Sequence, residues 1–254
     1  MKLNYKQYGD SGPYVVIVHG LFGMLDNWHN MAKSLSAHFK VVSVDVRNHG
    51  NSAHHPSMTY EDICDDFNEL LKDLSIPKAH FIGHSMGGKA VMKLADLHPG
   101  LIDKLCVVDI APKKYKPGHL AIFDAMFKLP VNTLSSRKEA EALLSESIDD
   151  VGIRLFILKN IDRCKTGGYE WKMGLENIYK NYETIMNRVT VSWPFSNETL
   201  FIKGAKSNYI STEDESTILE MFPNAEFATI PKAGHWVHAE NPEAFYTVLE
   251  DFLL

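Results

Sequence analysis

Ser85 sits in the pentapeptide Gly83-His84-Ser85-Met86-Gly87, a G-x-S-x-G pattern. A serine hydroxyl is a poor nucleophile until a neighbouring base takes its proton. The pattern becomes informative when a strand leads into it and a helix leads out. The tight turn between them then holds the hydroxyl exposed, and the helix N-terminal amides face any negative charge that develops. Ala79–Gly83 (AHFIG) reads as such a strand, and Met86–His98 as a helix stopped by Pro99-Gly100.

A base must reach this serine, and twelve histidines are available. His235, in Ala233-Gly234-His235-Trp236, follows the last strand pattern, and a helix is expected from about Pro242. Parallel strands present their C-terminal ends at one edge, so this loop and Ser85 share that edge. His238 lacks the glycine-flanked position at the loop start. His84 lies inside the elbow and is read as pointing away from the serine. His49, in the polar loop Arg47–Ser52, and His19 are read as histidines that order their loops.

The acid is the unusual member. A chain order of Ser, then Asp or Glu, then His would commonly place it after the strand Thr199–Lys203, in a G-x-x-D pattern. That stretch here is Gly204-Ala205-Lys206-Ser207-Asn208. Serine cannot offset the charge of an imidazolium, so the carboxylate must come from elsewhere. Asp109 ends the strand Lys104–Asp109 (KLCVVD), one strand after the nucleophile and at the same edge, where it can fix the tautomer of the imidazole. Asp214, in Glu213-Asp214-Glu215, is the alternative, with the competing role of a helix N-terminal charge. Asp45 precedes the nucleophile and reads as a loop-ordering residue. The backbone amides of Leu21, in His19-Gly20-Leu21-Phe22-Gly23, and of Met86 are the candidate oxyanion donors.

Positioning these groups requires a particular set of elements. Short apolar runs at Tyr14–Val18, Val41–Val46, Ala79–Gly83, Lys104–Asp109, Thr199–Lys203 and Glu226–Ile230 read as strands. Several are apolar throughout, as expected of strands covered on both faces. Thr59–Leu74 reads as a helix with Thr59 and Asp62 in capping-box spacing. Alternation of strand and helix predicts an α/β fold, a mostly parallel doubly wound sheet. Between about Pro112 and Pro194 no strand pattern is found. Helical stretches at Ala121–Phe127, Ser136–Ser147, Val151–Ile161 and Tyr169–Met186 predict a helical cap, residues 112–195, inserted into a core of residues 1–111 and 196–254. Phe123, Met126, Phe127, Phe156, Trp171 and Tyr179 are candidates to line an acyl pocket beneath it, or to form the cap's own core.

The remaining composition narrows the classes. The chain has 254 residues and a formal net charge of −6, so there is no basic face for nucleic acid and little attraction to anionic membranes. The N-terminus has no apolar segment of signal-peptide type, and no stretch is long enough to span a bilayer. Cys64, Cys106 and Cys164 are sparse and odd in number, which suits a reducing, cytoplasmic setting. No spacing suggests a metal ion, a nucleotide phosphate loop or another cofactor.

The chain resembles the YbfF-type esterases of bacteria. The resemblance is carried by HGLFG at 19–23, DVRNHGNS at 45–52, GHSMGG at 83–88, VVDIAP at 107–112, GAKSNYI at 204–210 and AGHWVHAENP at 233–242. It implies the α/β-hydrolase fold and hydrolysis of carboxylic esters and acyl thioesters, including acyl-CoA. VVDIAP and the serine at the G-x-x-D position belong to the resemblance, which supports Asp109. Ser85 argues against a haloalkane dehalogenase, whose elbow carries a carboxylate. A carbon–carbon bond hydrolase, a peroxidase-like variant or a non-catalytic ligand receptor would use the same scaffold.

Overall fold

The computed structural model describes residues 1–254. Seven strands form one sheet: β1 (Tyr5–Tyr8), β2 (Tyr14–Val18), β3 (Lys40–Val44), β4 (Ala79–His84), β5 (Ile102–Val108), and, after a long crossover, two further strands at Thr199–Gly204 and Ala225–Ile230. Within the crossover lie a short hairpin, β6 (Ile161–Arg163) and β7 (Tyr169–Trp171), so the last two sheet strands are β8 and β9. The order is β1-β3-β2-β4-β5-β8-β9, parallel throughout except for β1.

The apolar runs alternate between two cores. Val16, Val18, Phe81, Leu105, Val107 and Phe201 face one layer. Val15, Ile17, Ile82, Cys106, Leu200 and Ile202 face the other. Helices α2 (Tyr60–Asp73) and α3 (Met86–Leu97) cover the first face; α1 (His29–Leu35) and α11 (Pro242–Leu253) cover the second. Burial on both faces is why these strands lack a polar alternation. β1 carries no such signal. Its side chains are largely exposed, and it is held by antiparallel backbone pairing of Tyr5–Tyr8 with Val41–Val44. An edge strand of this kind is set by ladder hydrogen bonds rather than by apolar pattern.

Residues 109–198 connect β5 to β8. They carry α4 (Leu120–Lys128), α5 (Arg137–Ser145), α6 (Val151–Leu158), the β6–β7 hairpin, α7 (Leu175–Lys180) and α8 (Tyr182–Met186). Two expectations are corrected here. The segment does contain strands, and Tyr169–Met186 is not one helix. Gly167 and Gly168, at φ 96° and 71°, form the turn that folds β7 onto β6. The chain then breaks at Gly174, where a β-carbon would lie 2.9 Å from Oδ1 of Asn48. The remaining helices are α9 (Thr212–Met221) and α10 (Val237–Glu240). No helix is long and apolar enough to cross a membrane.

Candidate active site

Ser85 is the residue between β4 and α3, at φ 53° and ψ −117°. That left-handed backbone is costly for a residue with a β-carbon and survives only where its surroundings impose it. They do so here. The Ser85 amide donates to Val108 O at 2.9 Å, tying the turn to β5. A β-carbon on Gly87 would lie 2.5 Å from the carbonyl oxygens of Val18 and His19, and one on Gly83 would lie 2.4 Å from Gly87 O. The glycines of the pentapeptide are therefore demanded by close approach of the backbone.

The Ser85 hydroxyl lies 3.0 Å from Nε2 of His235. His235 Nδ1 lies 2.7 Å from Oδ2 of Asp109. Asp109 is an acceptor, so Nδ1 carries the ring proton and Nε2 is free to accept from Ser85. His235 is positioned by its loop: the Gly234 and Trp236 amides donate to the two carboxylate oxygens of Glu240 at 2.8 and 3.2 Å. His84 does not point away from this centre as expected. Its Nε2 donates to the His235 carbonyl at 2.8 Å. Burial keeps His84 neutral by pulling its pKa well below the usual histidine range.

Asp109 is fully buried, also in a left-handed conformation at φ 51°. Oδ1 accepts from the Gly204 amide at 3.1 Å, and Oδ2 accepts from the Ser207 hydroxyl at 2.5 Å as well as from His235. Ser207 thus meets the carboxylate rather than the imidazole. The Tyr209 ring lies face to face with the His235 ring, with centroids 3.8 Å apart. Asp214 is elsewhere. It caps α9 through the Ser211 amide at 2.8 Å and pairs with Lys113 Nζ at 2.5 Å.

The oxyanion candidates have a defined setting. Neither the Leu21 nor the Met86 amide donates to a protein acceptor. Gly20 O accepts from His19 Nδ1 at 2.8 Å and from the Gly23 amide at 2.9 Å. In a trans peptide the C=O and the following N–H point in opposite directions, so fixing Gly20 O aims the Leu21 N–H. His19 in turn accepts from the Val46 amide through Nε2 at 3.1 Å, and His49 Nε2 accepts from the Phe22 amide at 3.2 Å. Desolvation holds these two rings neutral, lowering their pKa values to about 4 and about 3. Asp45 accepts from the Leu25 and Asn51 amides at 2.7 and 2.9 Å, ordering the same loops.

A cleft of about 270 Å³ opens above Ser85 and His235. Its apolar walls include Phe22, Ile122, Ile153, Phe156, Ile157 and Trp236. Of the six residues proposed from sequence to line it, only Phe156 does. Phe123 and Met126 are buried, while Phe127 and Tyr179 pack on each other at the surface, and Trp171 lies on the hairpin. No three His, Cys, Asp or Glu side chains are grouped as ligands for a metal ion.

Sequence reasoning did not anticipate the contacts of Tyr209 and His84 with His235. Tyr209 lies only two residues beyond Ser207, but stacking depends on how the loop turns after β8, which no local pattern encodes.

Residues 13–242 match the sequence profile of the alpha/beta hydrolase fold family. Esterase YbfF of Escherichia coli is 37% identical over 259 residues, covering 100% of this chain and 99% of its own. The mouse sn-1-specific diacylglycerol lipase ABHD11 is 37% identical over 250 residues, covering 95% of this chain and 81% of its own. A solved esterase from a marine microorganism superposes with a TM-score of 0.97 at 40% identity, covering 99% of both chains. With its elbow, its sheet order and these relatives, the chain belongs to the alpha/beta hydrolase fold family, among its YbfF-type esterases.

Proposed function

We propose that this protein hydrolyses carboxylic esters, and acyl thioesters such as acyl-CoA, through an acyl-serine intermediate on Ser85. The observation that carries this reading is the continuous hydrogen-bonded line from Ser85 Oγ through His235 to Asp109. His235 Nε2 takes the hydroxyl proton as Ser85 Oγ attacks the carbonyl carbon. The Leu21 and Met86 amides, which have no protein acceptor, stabilise the oxyanion of the tetrahedral intermediate. Collapse of that intermediate expels the alcohol or thiol, which takes the proton from His235. Water, deprotonated by the same nitrogen, attacks the acyl-serine, and the free acid leaves. Asp109 holds Nδ1–H and offsets the transient imidazolium, with Ser207 and the Gly204 amide supporting it as a carboxylate.

Residues 112–195 act as a cap over a core of residues 1–111 and 196–254. The walls that α4 and α6 contribute to the cleft support this division. The cleft volume suits short and medium acyl groups. Small-molecule esters are the substrate class, and the unpaired cysteines, two of them buried, fit a cytoplasmic enzyme.

The test is hydrolysis of p-nitrophenyl butyrate by the wild type, Ser85→Ala, Asp109→Asn and Asp214→Asn. Ser85→Ala should be inactive. Asp109→Asn should lose about 10³- to 10⁴-fold in kcat, as expected when the tautomer and charge support of a triad histidine are lost. Asp214→Asn should stay near wild type. Loss in Asp214→Asn with retention in Asp109→Asn would overturn the acid assignment, and an inactive wild type would overturn simple ester hydrolysis. An acyl-CoA series then decides the thioester reading.

A further inference from the structure

Asn160 lies in the crossover between α6 and β6, far in sequence from the catalytic motifs, and is completely buried. Its side-chain amide donates from Nδ2 to the Phe22 carbonyl at 2.8 Å, while its Oδ1 is buried with no partner. A buried amide with an unpaired oxygen is costly and calls for a reason. Its own backbone is anchored: the Asn160 amide donates to Ile157 O at 2.9 Å and its carbonyl accepts from the Lys172 amide at 2.8 Å.

The Phe22 carbonyl is not an ordinary acceptor. It shares a peptide plane with the Gly23 N–H, which points the opposite way and donates to Gly20 O at 2.9 Å. Gly20 O in turn shares its plane with the Leu21 N–H, the proposed oxyanion donor. The line therefore runs from Asn160 Nδ2 to the Phe22–Gly23 peptide, then to the Gly20–Leu21 peptide, then to the reaction centre. Each dipole in such a chain polarises the next. Phe22 itself adopts φ 61°, a conformation that a non-glycine residue keeps only when held. Its ring is packed by Phe123 of α4, with centroids 4.9 Å apart.

We propose that Asn160 is a positioning residue that aims the Leu21 amide at the oxyanion from the crossover segment, so that seating of this segment and organisation of the oxyanion hole are one event. The proposal rests on the reading of Ser85 as nucleophile and Leu21 as donor.

The experiment compares Asn160→Leu and Asn160→Asp with the wild type. Asn160→Leu removes the unpaired oxygen along with the donor but leaves the buried Phe22 carbonyl without its partner, so it should keep the native fold by circular dichroism with a modestly lower Tm; Asn160→Asp puts an acceptor against the Phe22 carbonyl. Both should lower kcat on p-nitrophenyl butyrate, by roughly 10- to 100-fold, somewhat less than the loss of a whole oxyanion donor. KM should move little. Inhibition by a trifluoromethyl ketone, whose adduct with Ser85 places an oxyanion in the hole, should weaken in parallel with kcat. An Asn160→Leu enzyme with kcat near wild type, or with only KM raised, or with unchanged affinity for the ketone, overturns the proposal. Ser85→Ala in the same assay separates the two readings: turnover by that variant defeats the nucleophile assignment, whereas its inactivity beside an unaffected Asn160→Leu defeats only the relay.

Discussion

The carboxylate of Asp109 accepts three hydrogen bonds, from Gly204, Ser207 and His235. Each donor stabilises the ionised form, and their directions fix where Oδ2 meets the imidazole. Ser207 contributes the shortest of them and is itself held by the Tyr209 amide at 3.2 Å. Removing one donor from a buried carboxylate costs about 1.5–3 kcal/mol in the interaction. Ser207→Ala is therefore expected to lower kcat by roughly tenfold and to leave KM near wild type, measured on p-nitrophenyl butyrate. Unchanged kcat would mean that Gly204 and His235 suffice to hold Asp109.

At the scale of elements, the elbow is a meeting of three backbones. β4 delivers Ser85, β5 receives its amide through Val108 O, and the loop after β2 packs against Gly87. Gly87→Ala would drive its β-carbon to 2.5 Å from Val18 O and His19 O, so the loop after β2 must retreat from α3. Overpacking of this kind costs about 1–3 kcal/mol, and it displaces the Leu21 amide from the Met86 amide. The expected outcome is a lower denaturation midpoint in urea together with a loss of kcat larger than any rise in KM. A variant with a normal midpoint and normal kcat would show that the loop can shift without consequence.

For the whole molecule, burial of histidine sets the response to acid. Desolvation lowers His19 and His119 to about 4, and His49 and His238 to about 3, from an ordinary value of 6.5. His84 moves in the same direction. The folded state keeps these rings neutral while the unfolded chain binds protons below pH 6.5, so the unfolded state gains protons first and stability falls as pH falls. Above the ordinary value both states are neutral and these groups contribute no slope. Each unit of offset is worth about 1.4 kcal/mol, and several such groups together rival the usual stability of a domain, about 5–15 kcal/mol. Thermal denaturation should show a steep fall in Tm from pH 6 toward pH 4. His238→Gln should make that fall shallower, and a Tm indifferent to acid would contradict neutral burial of these rings.

The local pattern determined the parallel sheet and the elbow, because two-faced burial of β2 to β5 leaves unbroken apolar runs and the close approach of backbones at Gly83 and Gly87 leaves no choice of residue. It also brought Ser85, Asp109 and His235 under consideration together, since strand direction alone puts their loops at one edge. It did not reveal β1, whose pairing is made by backbone groups common to every residue, nor the β6–β7 hairpin, whose strands of three residues are too short to show a period. Which of the candidate aromatic and methionine residues line the cleft and which pack inside the crossover was left open by the pattern, because the face of α4 or α6 that turns toward Ser85 depends on how the crossover settles on the core. Only the tertiary structure decided that Ser207 serves Asp109, that Tyr209 stacks on His235 and that Asn160 reaches Phe22. Those contacts join segments many residues apart, and their geometry is set by packing between elements, which carries no signature in the residues along the chain.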